Sequence, residues 1–286
     1  MHLYIEPNAG TQPVVQVIED ARKSVDLNVY YLSDKQILRA LHAAARRGVE
    51  VRVMLDRHPY RMRRYKIERE YREVEATGAK VKFSPDRFRY DHAKYVCSLS
   101  RCEIGTANYS WSAFHRNREY LLTSDATPVV QAARAVFNAD WHETRAGTAP
   151  RRVLVLSPGS TAALVEAIRQ PGPVDIEQEE LDTDRPIMRA LRDGGDRIRL
   201  ILPHSAERAD RQRIRELRQS GVRIRFMPRS TYMHAKLILG RHMAFVGSEN
   251  FSWNSLNHNR EMGLLFNGSP LEKARRQFDH DWRQAS

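Results

Sequence analysis

The sequence predicts an α/β protein of two pseudo-symmetric halves, each a mostly parallel sheet flanked by helices, packed into one unit. Three observations carry this. The string "HAKYVCSLSRCEIGTANYSWSAFHRNREY", which starts at His92, returns 142 residues later as "HAKLILGRHMAFVGSENFSWNSLNHNREM". Upstream of each copy the apolar periodicity switches between two residues and about 3.6, the alternation of strands with helices that builds parallel sheets. The chain has 286 residues, 41% hydrophobic and 29% charged, enough for one large domain or two closely packed halves.

In chain order, residues 12–24 read as an amphipathic helix and 25–32, "VDLNVYYL", as a strand. Residues 34–47 read as a helix closed by Gly48, and 49–56 as a strand. The second copy repeats the order with a helix at 160–170, a strand near 174–181, a helix at 185–193, a strand at 197–202, a helix at 206–219 and a strand at 222–227. Each "HAK" then falls on a strand, with His and Lys two apart and so on one face. The closing helices also match, "VFNADWHE" against "QFDHDWRQ", and Trp141 and Trp282 within them read as core. The segment "RAGTAPRR" (145–152), centred on Pro150, divides an N-terminal half, 1–147, from a C-terminal half, 151–286. Cys97 and Cys102 flank a hairpin turn, which accommodates either a cross-strand disulfide or two buried thiols.

The net charge of +12 favours polyanions such as nucleic acid or anionic headgroups. No apolar run approaches the ~20 residues that span a bilayer, and the start "MHLYIEPNAG" lacks a secretory pattern. The expectation is a soluble protein, cytoplasmic or secreted after loss of a signal, and monomeric because one chain holds both copies of the string.

Duplication preserves an apolar pattern, but packing gives no reason to preserve His, Lys, Asn and Glu together. If the copies meet across a pseudo-two-fold, His92, His234, Lys94, Lys236, Asn108 and Asn250 converge on one cationic, donor-rich spot suited to a phosphodiester. One imidazole attacks phosphorus while the other protonates the leaving oxygen. Glu119 and Glu261 accept the second ring N–H and fix the tautomer. The His, Asp and Glu spacings match neither a zinc helix nor an acidic two-metal cluster, so no metal and no cofactor is expected.

These motifs resemble those of the phospholipase D superfamily, whose signature is His-x-Lys-x4-Asp followed by a Gly-Ser or Gly-Gly step and Asn, and the resemblance covers essentially the whole chain. It implies a phosphohistidine intermediate with metal-independent hydrolysis or transfer to an alcohol. The His and Lys positions are His92, Lys94, His234 and Lys236; the Asp positions hold Leu99 and Arg241 instead. Ser110 and Ser252 match the family's small hydroxyl position, which bonds phosphate.

Fold and mechanism do not select the phosphodiester. The strings around Asn108 and Asn250 are closer to compact bacterial nuclease-like members, and "RHPYRMRRYKIEREYR" (57–72) interleaves basic residues with Tyr60, Tyr65 and Tyr71, which suits single-stranded DNA or RNA. A solvated helix with i,i+4 charge pairs explains that segment equally well. A phospholipase acting on phospholipids, and an inactive nucleic-acid-binding module, are the alternatives. Trp111 and Trp253 are expected to pack beneath the phosphate-binding turn. Glu177 and Glu179 take the places of Asn28 and Tyr30, either lining one side of the cleft or ending a solvated strand.

Overall fold

The computed structural model describes all 286 residues. The first half runs β1 (His2–Glu6), α1 (Gln12–Glu19), β2 (Ser24–Val29), α2 (Lys35–Arg46), β3 (Glu50–Leu55), α3 (Arg64–Glu75), β4 (Lys80–Phe83), β5 (Lys94–Cys97), β6 (Cys102–Gly105), α4 (Trp111–His115), β7 (Asn117–Ser124) and α5 (Thr127–Trp141). The second repeats it as β8 (Leu154–Ser157), α6 (Thr161–Ile168), β9 (Val174–Gln178), α7 (Arg185–Gly194), β10 (Ile198–Leu202), α8 (Ala206–Ala209), α9 (Arg211–Gln219), β11 (Arg223–Phe226), β12 (Tyr232–Met233), β13 (Lys236–Leu239), β14 (Ala244–Gly247), α10 (Trp253–Asn257), β15 (Glu261–Phe266) and α11 (Ser269–Gln284).

The strand orders, β1-β7-β6-β5-β2-β3-β4 and β8-β15-β14-β13-β9-β10-β11, are the same path written twice. The predicted parallel pairing runs through β2-β3-β4 and β9-β10-β11, where helices supply the crossovers. Along the rest of each path the pairs are antiparallel, β5–β6 and β13–β14 being hairpins too short to cross over, and β12 adds one parallel pair to β7 from the other half. Cys97 and Cys102 form a disulfide across the β5–β6 hairpin.

Both faces of each sheet are apolar, and alternate strand residues feed different cores. Val96 and Leu121 point to the outer helices α1 and α2, while Tyr95, Tyr120 and Leu122 point inward. The inward set meets Leu237, Val246 and Met262 from the other sheet, together with α5 and α11, in one cluster of 34 buried residues shared by both halves. One smaller core lies under the outer helices of each half.

Several local readings change. β1 went unread in the sequence because its partner, β7, lies over 110 residues away in the register Glu6 to Glu119. Tyr30 and its neighbours leave the sheet after Val29, and the helix expected at 206–219 is interrupted at Asp210. Pro150, the expected centre of the connection between the halves, is buried in a 3₁₀ turn (Ala149–Arg152). His92 and His234 lie two residues ahead of β5 and β13, outside the strands proper.

The halves are locked by two related buried ion pairs. Arg118 forms a bidentate pair with Asp281 of α11 at 2.6 and 2.9 Å, and Arg260 does the same with Asp140 of α5 at 2.7 and 2.9 Å. Each guanidinium also donates to a carbonyl of its own half, of Glu6 and Ser157 respectively. Arg118→Ala would leave Asp281 buried without its cation, so it should lower unfolding stability by about 3–5 kcal/mol in urea denaturation, and Arg118→Met with Asp281→Leu should recover most of it. A loss under about 1 kcal/mol for the single variant would contradict this role.

Candidate active site

The site is built by backbone pairing between halves. Tyr232 and Met233 pair in parallel with Asn117 and Arg118, and Asp91 bridges Arg260 in the same way. His92 N–H donates to the Arg260 carbonyl at 2.8 Å, and His234 N–H to the Arg118 carbonyl at 3.3 Å. Each "HAK" therefore lies against the other half's "NRE". The His92 Nδ1–H donates to Glu261 Oε2 at 3.0 Å, close to the Ser248 carbonyl at 3.1 Å. The His234 Nδ1–H donates to Glu119, 2.8 and 2.9 Å from its two oxygens.

Each carboxylate is itself held. Thr106 Oγ1 donates to Glu119 at 2.6 Å and Asn117 Nδ2 at 3.0 Å; for Glu261 the donors are Ser255 Oγ at 2.6 Å and Asn259 Nδ2 at 3.0 Å. The sequence flagged both Glu residues but assigned no task to the Asn and Arg that precede them. Their signal was present in the repeated Asn-Arg-Glu and Asp-Trp, and the task appears once the halves meet.

The imidazoles share a cavity of about 630 Å³ that Asn108, Asn250, Ser252, Tyr30, Tyr60 and Glu179 help to line. The Oδ1 atoms of Asn108 and Asn250 have no protein partner. Lys94 and Lys236 are buried beside the histidines and donate to the carbonyls of His92 and His234 respectively. Ser252 reaches the cavity while N-capping α10; Ser110 N-caps α4 and does not line it.

The two sides differ most where a side chain meets the histidine ring. The Tyr30 ring packs edge-on to His92 at 4.9 Å, with the Lys94 ammonium 5.3 Å from its centroid. Glu179, at the equivalent place, accepts from Lys236 Nζ at 2.6 Å and lies 3.4 Å from His234 Nε2. Glu179 thus lines the cleft, whereas Glu177 is buried behind it, where desolvation and Asp281 push its carboxyl up. At Glu179, burial acts to raise the carboxyl, but His234 and Lys236 outweigh it and hold it well below the usual range.

Burial pushes the His92 imidazole down against the pull of Glu261, which favours a neutral ring with a free Nε2 lone pair. Burial also brings Lys94 down to about 7 despite Glu261. The Glu261 carboxyl, which burial would raise, is held low by His92, Lys94 and Ser255. One ring is suited to attack, and the other has carboxylates near both nitrogens, so a proton at its Nε2 faces an acceptor.

Trp111 and Trp253 do not pack beneath the turn. They are 53% and 51% exposed, because Ala113 and Phe114, and Ser255 and Leu256, take the buried faces of α4 and α10. The 57–72 segment divides. Tyr60 lines the cavity, whereas Arg64–Glu68 and Arg69–Glu73 are exposed i,i+4 pairs on α3 and Tyr71 is tied to the Val81 carbonyl.

The family described as "Cardiolipin synthase, PLD-like domain" matches residues 14–141 and 166–282. A cardiolipin synthase of Listeria welshimeri is 34% identical over 112 residues, 37% of this chain and 22% of the relative. A phospholipase D of Rickettsia prowazekii is 32% identical over 119 residues, 41% of this chain and 55% of the relative. These matches therefore span about a fifth of the first relative's length and little more than half of the second's. Among solved structures, the phosphatidylserine synthase of Haemophilus influenzae superposes with a TM-score of 0.74 at 10% identity, over 99% of this chain and 86% of that one. The polyphosphate kinase of Porphyromonas gingivalis gives 0.73 at 16% identity, over 96% and 49%. At such identities the likeness is one of fold.

The position of Lys94 gives a measurable consequence. Above pH about 7 its amine is largely neutral in the free protein, and an anion bound beside it restores the charge. Binding of a phosphodiester anion at about pH 8 should take up close to one proton, read by calorimetry in buffers of different ionisation enthalpy. The uptake should vanish in Lys94→Met; persistence there would remove Lys94 as its source.

Proposed function

Because the chain belongs to the phospholipase D superfamily, its match running through both halves, we propose that it is a metal-independent phosphodiesterase acting through a phosphohistidine, with nucleic acid as the preferred substrate. The observation that carries the reaction is the crossed arrangement of His92 with Glu261 and His234 with Glu119, which presents two oriented imidazoles to one cavity. In this reading residues 1–147 and 151–286 are two half-sites, complete together within one chain.

His92 Nε2 attacks phosphorus, the bond to the leaving oxygen breaks, and that oxygen takes the Nε2 proton of His234. His234, now neutral, accepts a proton from the incoming water or alcohol, whose oxygen displaces His92 and restores both rings. Lys94, Lys236, Asn108 and Asn250 supply the positive field and amide donors for the nonbridging oxygens. Glu179 supports these roles, since it places its acceptor at His234 and leaves His92 facing the Tyr30 ring. Ser252 is the better placed of the two serines to bond phosphate. The intact His–Glu couples speak against an inactive binding module.

Nucleic acid is favoured by a lining of amides and the rings of Tyr30, Tyr60 and Tyr90, which suit phosphate oxygens and stacking bases. A phospholipid substrate is the second reading. The half-exposed Trp111 and Trp253 favour it, being residues a bilayer interface takes up, as do the names of the matched family and relatives. No helix is long and apolar enough to cross a membrane.

With labelled single-stranded DNA, RNA and phospholipid vesicles, each in EDTA, cleavage of nucleic acid is expected; turnover of lipid alone would reverse the order of the readings. Dependence on added metal would remove the mechanism. His92→Ala and His234→Ala should each lower kcat at least about a thousandfold on natural substrates. On an ester with a 4-nitrophenolate leaving group, which departs without protonation, His234→Ala should still form the covalent phosphoenzyme and His92→Ala should not. Labelling of the His92 variant alone would exchange the two roles.

A further inference from the structure

Beyond the catalytic cavity, the second half carries an arginine-lined groove. One cavity of about 650 Å³ lies along α9 and another of about 430 Å³ lies beside α8, and Glu207 and Arg208 line both. Arg211, Arg215 and Arg218 follow at i, i+4 and i+7, so one exposed helix face carries three like charges. Like charges at that spacing work against the helix. Arg213, pointing elsewhere, is paired with Asp182 and Asp210, but Arg208, Arg211 and Arg215 form no ion pair.

The groove leads into the active site. Arg229 and Tyr232 line the cavity beside α8, and the Tyr232 hydroxyl donates to Glu179 Oε1 at 3.2 Å, on the wall of the catalytic cavity. From the first half Tyr60 and Tyr90 line the catalytic cavity, and the next concavity holds Arg89 together with Arg57, which is paired with Asp86 at 2.9 Å. The two arms leave the ends of β3 and β10, equivalent strands of the two halves. An extended anion lying over His92 and His234 would thus meet the arginine row of the α8–α9 groove on one side and Arg89 on the other.

We infer that the α8–α9 groove is a backbone track for a linear polyanion, a single strand of nucleic acid bound on both sides of the scissile phosphate and cut internally. This rests on the nucleic-acid reading above. The concave form and the row of guanidinium groups without ion-pair partners suit the phosphates of one strand.

The test uses the triple variant Arg208→Ala, Arg211→Ala, Arg215→Ala. All three residues are exposed, and an unchanged thermal midpoint verifies its fold. Its substrates are a labelled single-stranded DNA of about 30 nucleotides and bis(4-nitrophenyl) phosphate. On the DNA, kcat/KM should fall roughly tenfold or more, and the slope of log(kcat/KM) on log[salt] should become shallower by about 2. Bis(4-nitrophenyl) phosphate should be hydrolysed as by the parent, and the parent's early DNA products should be internal fragments. Unchanged DNA cleavage by the variant, or products released only from an end, would overturn the track while leaving the nucleic-acid reading intact. A parent that hydrolyses bis(4-nitrophenyl) phosphate but no nucleic acid would overturn both. Loss of co-sedimentation with anionic phosphatidylglycerol vesicles, with DNA cleavage unaltered, would make the groove a membrane surface instead.

Discussion

Each imidazole of the site is oriented by a carboxylate from the other half of the chain, and much of the molecule serves that exchange. A histidine whose Nδ1–H is fixed presents its Nε2 in one direction. Fixing it from across an interface demands that the interface be rigid. The shared apolar core, the backbone pairing at Asp91 and Met233, and the bidentate pairs of Arg118 and Arg260 supply that rigidity from three kinds of interaction. Within Asn-Arg-Glu, Arg holds the halves together, Glu orients the histidine of the other half, and Asn holds Glu.

Symmetry brings two equal histidines together, whereas the proposed reaction needs two unequal ones. The difference that touches the rings themselves, Tyr30 against Glu179 at equivalent positions, breaks the equality. An aromatic ring beside one imidazole offers no proton acceptor of comparable strength; a carboxylate beside the other does. The departure stands on β-strand exits that the duplicated fold holds in register, so the difference is chemical rather than architectural.

Much of the fold was legible because strand and helix periods are local, and repetition doubled the signal. The pairing of β1 with β7, the break in 206–219 and the burial of Pro150 were not legible, since each depends on a distant surface. The polar members of the site could be named from their recurrence. Trp111 and Trp253 were misplaced for the opposite reason: recurrence does not say which side of a one-turn helix faces the core, and Ala113 and Phe114 took the inner side.

By itself the sequence determined that the chain is a duplicated α/β unit and that His, Lys, Asn and Glu recur at one interval, because spacing along the chain is covalent and survives in the text. The tertiary structure decided that His92 meets Glu261 and His234 meets Glu119, contacts that span 169 and 115 residues. It also decided that Glu179 enters the cleft while Glu177 does not. Partners so far apart are chosen by how two sheets pack, and packing is a property of the folded whole.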